Sequence, residues 1–185
     1  VSPDDYASWR TEDQIAFWIN AYNALTLLSI VNHYPTKSIL TIPGVWKRQQ
    51  HNILSTSMTL DEIEHTILRK QFKEPRIHMA LVCASIGCPP LRREAYTGAQ
   101  LSTQLSDQSQ SFLAMQPNLT IDTSRNIVYL SAIFKWFAED FITDNPIVEP
   151  YTGNKSQQAV LNFVATYVPL EQRLYLQDGE YTIKY

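Results

Sequence analysis

The chain has 185 residues, of which 44% are hydrophobic and 18% charged, and its formal net charge is -3. This length suits a single domain that buries a core without help from metal ions or a disulfide framework. The small negative charge, with lysines and arginines scattered along the chain, gives no electrostatic basis for binding nucleic acid or an anionic membrane. Because Ser, Thr, Asn and Gln supply most of the polarity, we expect an exported protein, periplasmic or extracellular.

The first predicted element is a helix from Glu12 to Tyr34, with Thr11 as its N-cap and Pro35 ending it. Its apolar run, residues 15–31, is interrupted by polar residues and is shorter than the roughly 20 residues of a membrane span. The sequence therefore predicts a buried helix, apolar almost all round, and no membrane span. No basic start and apolar leader precede it, so no export signal is visible in the chain.

The middle of the chain predicts a strand, a helix and a second strand. Residues 52–58 suit a strand, and residues 59–62 match a capping box that starts a helix reaching about Phe72. The apolar run from residue 77 to residue 83 predicts a buried strand. Residues 87–90, Gly-Cys-Pro-Pro, end it in a turn or loop.

The C-terminal part mixes helices and strands without a regular alternation. Helices are predicted over residues 97–115, 131–142 and 156–168, strands over 119–122 and 127–130, a mobile loop over 144–155, and a terminal hairpin through Asp178 and Gly179. The mixture predicts an α+β fold, with helices packed around a small mixed or antiparallel sheet.

Cys83 is the first candidate for chemistry. It ends a predicted strand and opens a loop of small residues, where a thiol can be an exposed nucleophile. The competing interpretation is packing, because free cysteine is among the most buried residue types. His65 is the preferred base, since Asp61 and Glu62 precede it on the same helix face and either carboxylate can orient its ring. Both acids also suit the first turn of a helix, and Glu62 is the expected capping-box partner.

Four further polar residues are candidates. Asn20 and Asn23 share one face of the first helix, where their amides either fix a loop or donate to a developing oxyanion. His78 is the histidine nearest to Cys83 in sequence, but alternation along a strand puts it on the opposite face, which leaves it a binding role. Arg92 follows the double proline and can bind a carboxylate or phosphate, or remain a solvated charge.

No metal and no cofactor are expected. The five-residue spacing between Cys83 and Cys88 matches no common zinc pattern, and no second pair of ligands follows. The chain has no glycine-rich phosphate loop and no serine elbow. The two cysteines can form one small-loop disulfide in an oxidising compartment or stay free in a reducing one.

Three stretches, taken in order, carry a family resemblance. They are AFWINAYNAL at residues 16–25, then LDEIEH at 60–65 with PRIHMALVC at 75–83 and CPPLR at 88–92, then VYL at 128–130 with FKWFAEDF at 134–141. Together they resemble the domain of unknown function 547 family, most clearly over residues 12–141. The resemblance implies no settled reaction. Bacterial members are often exported or lipid-anchored, and plant members carry an added coiled-coil segment and look like interaction proteins.

Two functions compete at this point. One is a thiol-dependent hydrolase or acyltransferase acting on an amide or ester, similar by analogy to a papain-like or transglutaminase-like enzyme in rearranged order. The other is a non-catalytic module that binds a small molecule, a peptide or a protein, in which the same residues only pack. A minor third is a redox or disulfide-stapled domain. The catalytic assignment is Cys83 as nucleophile, His65 as base, Asp61 or Glu62 to orient it, and Asn20 or Asn23 at the oxyanion.

Overall fold

A computed structural model describes residues 1–84, 87–142 and 151–185, and the structural statements that follow concern these residues. They form two compact units, Val1–Leu105 and Ser106–Tyr185. Helices occur together with one two-stranded and one three-stranded sheet, which confirms the predicted α+β class. That the whole chain is one domain stays a prediction.

The first unit is mostly helical. Its elements are α1 (Pro3–Ala7), α2 (Thr11–Asn32), a 3-10 helix (Ile39–Thr41), β1 (His51–Ile53), β2 (Thr56–Met58), α3 (Leu60–Glu62), a π-helix (Ile63–Leu68), α4 (Arg69–Gln71) and a second 3-10 helix (Pro75–Met79). The helix α5 (Leu101–Leu113) begins in this unit and continues into the next.

The long helix α2 buries one face only. Its buried residues recur every three or four positions and are Ile15, Ala16, Trp18, Ile19, Tyr22, Asn23, Thr26 and Ser29. On the other face Leu27, Leu28 and Val31 are 40%, 48% and 68% exposed, so the prediction of burial all round is wrong. The helix has more apolar residues than the core of this unit covers. Its N-cap is Arg10, without a side-chain cap hydrogen bond, and Thr11 is the first helical residue.

Among the described residues, α2 is the helix that is long and apolar enough to cross a membrane. Of the most apolar stretch of 18 residues in this helix, 44% is buried within the protein. A core helix meets the same criteria of length and composition, so this finding is weak evidence for a span.

Residues 51–58 form a hairpin rather than the predicted single strand. β1 and β2 pair antiparallel, with Ile53 opposite Thr56. Leu54 and Ser55 between them have φ of 51° and 62°, as a type I′ turn requires. Neither is the glycine or asparagine that normally signals this turn, which is why the sequence pattern missed it.

The helix that follows confirms one local prediction and adds one feature. Thr59 and Glu62 form the reciprocal capping box, with the Thr59 N–H donating to Glu62 Oε2 at 2.7 Å. The middle of the helical segment, Ile63–Leu68, is π-helical. Such π-helical turns are rare in proteins, and those that occur are often found at functional sites. His65 lies within this one.

The predicted buried strand at residues 77–83 is wrong. Pro75–Met79 form a 3-10 helix, which starts with a proline in its first turn and is capped by the Glu74 side chain. Ile77 and Met79 are both fully buried. A short, continuous apolar run suits any buried segment, so periodicity alone does not separate a strand from a helical turn.

The second unit is built on the three-stranded sheet. After α5 come β3 (Leu119–Asp122), β4 (Ile127–Leu130), α6 (Ala132–Trp136), a 3-10 helix (Ala138–Phe141), α7 (Lys155–Tyr167), α8 (Leu170–Asp178) and β5 (Thr182–Lys184). β3 pairs antiparallel with β4, and β4 pairs parallel with β5. The strands predicted at 119–122 and 127–130 are confirmed.

Several boundaries in this unit differ from prediction. The helix predicted from residue 97 starts only at Leu101, as α5. The prediction of a terminal hairpin is wrong. Asp178 ends α8, and Gly179, at φ 75°, is the left-handed residue after the helix. A helix end and a hairpin turn both need positive φ, so the same Asp-Gly pair suits either. Most of the predicted mobile loop lies outside the described residues, which resume at Tyr151.

Candidate functional site

Asn23 fixes the backbone just before Cys83. Its Nδ2 donates to the Ala80 carbonyl at 3.0 Å, and its Oδ1 accepts from the Val82 N–H at 2.9 Å. Asn23 is 5% exposed, and Ala80 and Val82 are buried. The side-chain amide therefore pairs with this segment as a neighbouring strand would, which satisfies two buried main-chain groups.

Asn20 fixes the backbone at Tyr96, at the other end of the stretch that begins near Val82. Its Nδ2 donates to the Tyr96 carbonyl at 2.8 Å, and its Oδ1 accepts from the Tyr96 N–H at 2.9 Å. Asn20 and Asn23 thus hold the two ends of the stretch that carries both cysteines. Loop fixing, one of the two roles expected for these amides, is what their hydrogen bonds do.

A third amide, which the sequence pattern did not single out, completes this anchoring. Gln104 is 2% exposed on α5. Its Nε2 donates to the Ala95 carbonyl at 2.9 Å, and its Oε1 accepts from the Thr97 N–H at 2.9 Å. A glutamine on an amphipathic helix carries no signal that distinguishes it from a solvated residue, so only its burial identifies it.

Arg92 contacts a carboxylate of its own chain. Its Nη2 lies 2.8 Å from Glu94 Oε1, which also accepts from Gln104 at 3.2 Å. The hydrogen bonds from Arg92 and Gln104 hold the pKa of Glu94 below its ordinary value. The carboxylate that Arg92 contacts is therefore supplied by Glu94, in the same loop.

Tyr96 lies enclosed between these amides. It is 4% exposed, and its hydroxyl has no hydrogen-bond partner in the part of the chain that the structure describes. Burial raises the pKa of Tyr96 to about 12. The phenol therefore stays protonated at neutral pH.

Cys83 and Cys88 are joined by a disulfide with a Cα–Cα distance of 6.0 Å. Cys88 is buried, at 8% exposure, whereas Cys83 is only partly buried. A nucleophilic role for Cys83 requires the thiolate, and hence the reduced form of this pair.

His65 lies between two charged side chains. Its Nε2 is 3.6 Å from Asp61 Oδ1, and its Nδ1 is 3.1 Å from Arg69 Nη1. Because a guanidinium only donates, Nδ1 accepts, and in the neutral ring the proton is on Nε2, toward Asp61. Of the two predicted acids, Asp61 is the one beside His65, while Glu62 is bonded to Thr59.

Helix α2 connects the segments that carry His65 and Cys83. Tyr22 donates from its hydroxyl to Glu64 Oε2 at 3.0 Å, next to His65 in sequence. The following residue, Asn23, binds Val82, next to Cys83. Tyr22 is 2% exposed, and burial first, then Glu64, raises its pKa. Two consecutive buried residues of one helix therefore position the neighbours of both candidate residues.

His78 is 3% exposed, in the 3-10 helix. Because this segment is not a strand, strand alternation does not place His78 on the face opposite Cys83. Its burial keeps the ring away from a ligand in solvent. Within the described ranges, no three His, Cys, Asp or Glu side chains are grouped so that they could hold a metal ion.

An open cavity of about 430 Å³ lies beside the Asn20 anchor. Its walls are Trp9, Asp13, Ala16, Phe17, Asn20, Tyr96, Thr97 and Gly98. The rings of Trp9 and Phe17 meet edge to face, 5.7 Å between centroids. Aromatic walls with a carboxylate and an amide are typical of small ligand sites, and no sequence motif marked this one.

Comparison with known proteins gives one match. The family model described as protein of unknown function, DUF547, matches residues 6–113, a range that contains every candidate residue and both cysteines. Neither the curated proteins nor the solved structures yielded a significant match. The matched range exceeds half of the chain and agrees with the resemblance seen in its motifs. The chain belongs to the DUF547 family, domain of unknown function 547.

Proposed function

We propose that this chain is a thiol-dependent hydrolase or acyltransferase that acts on an amide or ester through Cys83 in its reduced form. The observation that supports the proposal is the pairing made by α2. Tyr22 binds the residue before His65, and Asn23 binds the residue before Cys83. A shared, buried support of this kind is what a nucleophile and its base need in order to keep a fixed relation.

In the proposed reaction, His65 takes the proton of the Cys83 thiol, and the sulfur attacks the carbonyl carbon. The amine or alcohol leaves with that proton, and a thioester remains on Cys83. Water then attacks the thioester in a hydrolase, or an acceptor amine or alcohol does so in an acyltransferase. The C–S bond breaks, the carboxylic acid or the new amide or ester leaves, and a proton from the attacking group restores the thiol. To act as the base, Nδ1 of His65 exchanges its contact with Arg69 for the thiol.

The other assigned residues have positioning roles in this scheme. Asp61 orients the imidazole from Nε2, whereas Glu62 stabilises the start of the helix. Asn20 and Asn23 each use one of two Nδ2 hydrogens on the main chain. The second hydrogen of either amide is the proposed donor to the oxyanion.

The two cysteines provide a matched pair of variants. Cys83→Ala removes the nucleophile, while Cys88→Ala keeps it and prevents the disulfide. We expect Cys88→Ala to cleave p-nitrophenyl acetate without reductant and to show an acetyl group on Cys83 by intact mass and peptide mapping. Native protein should do so only after reduction with a phosphine. If Cys83→Ala hydrolyses this ester as fast as reduced native protein, the assignment is wrong.

The role of His65 is tested by the pH dependence of iodoacetamide labelling in Cys88→Ala. An activated thiolate labels with an apparent pKa well below the free value of about 8.5. His65→Ala should return that pKa to about 8.5, and His33→Ala, at the exposed end of α2, should not change it. An identical labelling profile in all three proteins would contradict the assignment of the base.

A non-catalytic binding module is the alternative. It is favoured by the structural roles of Asn20, Asn23 and Glu62, and by the aromatic cavity beside Asn20. Its ligand would be a small molecule, a peptide or a protein. A folded Cys88→Ala that labels no faster than a free cysteine would favour this alternative. The disulfide also supports an oxidising compartment, periplasmic or extracellular, for either function.

A further inference from the structure

The second unit has a sheet edge that borders a groove. In the described residues, β3 is an outer strand of the order β3-β4-β5. Along it lies a cavity of about 450 Å³. The cavity is lined by Gln110, Leu113, Ala114, Gln116, Leu119, Thr120, Ile121, Tyr167, Val168, Pro169 and Gln172. It therefore runs beside three consecutive residues of the strand.

The register decides which main-chain groups of β3 face away from β4. The Ser131 N–H donates to the Asn118 carbonyl at 2.9 Å, which makes this a hydrogen-bonded pair. Bonded and non-bonded pairs alternate along an antiparallel ladder. Thr120 therefore bonds to β4, while Leu119 and Ile121 direct their N–H and C=O groups to the outer edge.

Two neighbouring bonds agree with this register. The Leu119 N–H donates outward, to the Met115 carbonyl at 3.3 Å. On the far side of β4, the Thr182 N–H donates to the Asn126 carbonyl at 2.9 Å, as the alternation requires. The outer edge of β3 thus offers three groups to the groove: the Leu119 carbonyl and the N–H and carbonyl of Ile121.

The groove walls combine apolar and polar side chains and include no charged residue. Three glutamine side chains and the Tyr167 phenol supply donors and acceptors, and Leu113, Ala114, Val168 and Pro169 supply apolar surface. A charged ligand finds no ion-pair partner among these residues. The walls suit a neutral chain that needs both hydrogen bonds and apolar contact.

We propose that the β3 edge binds an extended, uncharged peptide, which adds a fourth strand to the sheet. One peptide residue exchanges two main-chain hydrogen bonds with Ile121, and the Leu119 carbonyl accepts a third. Alternate peptide side chains enter the groove, where the glutamines bind their polar groups. Unpaired groups along a strand edge are a template for this mode of binding.

The opposite edge of the same sheet is different. Because Thr182 bonds to β4, Ile183 directs its main-chain groups outward. β5 also carries Lys184, a residue type that discourages strand addition at exposed edges. Ile183 therefore provides a control position matched to Ile121 in residue type and in its place at an outer edge.

The test uses the full chain and a phage-displayed library of random heptapeptides. The selected peptide is synthesised and titrated into isotope-labelled protein. We expect the largest amide shift at Ile121. Ile121→Pro should bind about tenfold more weakly, because proline lacks the N–H that one hydrogen bond needs. Proline is tolerated at a position whose N–H faces away from the ladder, and Ile183→Pro should bind as native protein does.

A second pair of variants keeps the proposal testable if Ile121→Pro fails to fold. Ala114→Trp fills the groove from an exposed position, and Ser111→Trp adds the same ring at an exposed position of α5 outside the groove. Loss of binding in Ala114→Trp alone supports the proposal. The proposal is overturned if no selected peptide depends on Ile121 or Ala114. It is also overturned if these variants instead abolish self-association, which would assign the edge to a second copy of the chain.

Discussion

The two units differ in how each holds part of its non-helical backbone. In Val1–Leu105, the described residues between 80 and 97 form no helix or strand, and three buried or half-buried side-chain amides hold them, those of Asn20, Asn23 and Gln104. Each amide satisfies a donor and an acceptor of the main chain. Removing one side chain therefore leaves two main-chain groups without a partner.

In Ser106–Tyr185, main-chain hydrogen bonds among β3, β4 and β5 hold the backbone, and an aromatic core supports the sheet. A ladder distributes its hydrogen bonds over many residues, and no single side chain supplies them. We therefore expect the loop of the first unit to be most sensitive to loss of these amide side chains, and the sheet unit to be most sensitive to loss of aromatic packing.

The largest effect is expected at Phe134. It is fully buried, and its ring contacts Phe112, Phe141 and Phe163 at centroid distances of 6.1, 5.4 and 6.1 Å. Phe134→Ala should lower the free energy of unfolding by about 3–5 kcal/mol, because it removes a buried ring and leaves a cavity. Urea unfolding followed by circular dichroism measures it. Phe134→Leu, the control, should cost clearly less; equal losses would mean that packing around this ring is not decisive.

Asn23→Ala should cause the next largest loss in the free energy of unfolding. It leaves the Ala80 carbonyl and the Val82 N–H buried without a partner, which should cost about 2–4 kcal/mol in the same assay. Asn20→Ala is the matched comparison. It should cost less, because Asn20 is only partly buried and Gln104 still holds both neighbours of Tyr96. A greater loss at Asn20 would break the link between amide burial and stability.

Two of the capping boxes, one in each unit, differ in how far they are buried. Thr59→Ala removes a 4% exposed cap from α3 and should cost about 1–2 kcal/mol. Asn154→Ala removes an exposed cap from α7 and should cost about 0.5–1 kcal/mol. Parallel thermal and urea unfolding measure both. If Asn154→Ala costs more, local capping matters more in the second unit than the comparison implies.

The smallest expected effect is a change in the pKa of Asp122. Hydrogen bonds from Ser124 and then Arg125 hold the pKa of Asp122 below its ordinary value at the end of β3. Ser124→Ala should raise that pKa, as carboxyl carbon NMR against pH will measure. Because the pKa is lowered by folding, the linked stability is present above the unfolded value and is lost as pH falls through the folded value. An unchanged Asp122 pKa in Ser124→Ala would remove the hydroxyl as the main cause.

The candidate site was predicted in part. Residue types and helix spacing were enough to bring Asp61 beside His65, because residues four apart share a helix face. The choice between Asp61 and Glu62 depended on which carboxylate Thr59 engages. Gln104 and the aromatic cavity at Trp9 were missed, because both depend on contacts between segments far apart in the chain.

Local sequence was sufficient wherever neighbours in the chain supply the determining contacts. The capping box at Thr59, the start of a helix at about residue 131, and the strands at 119–122 and 127–130 belong to this group. So does the family, whose motifs are short contiguous runs.

Tertiary structure alone decided the features whose local signal is ambiguous or absent. Residues 75–79 became a 3-10 helix although an apolar run suits a strand equally well, and Gly179 ended a helix although its positive φ also suits a hairpin. Asn23 found its partners 57 and 59 residues away. A buried amide must be satisfied, but which main-chain groups satisfy it is determined only when distant segments pack together.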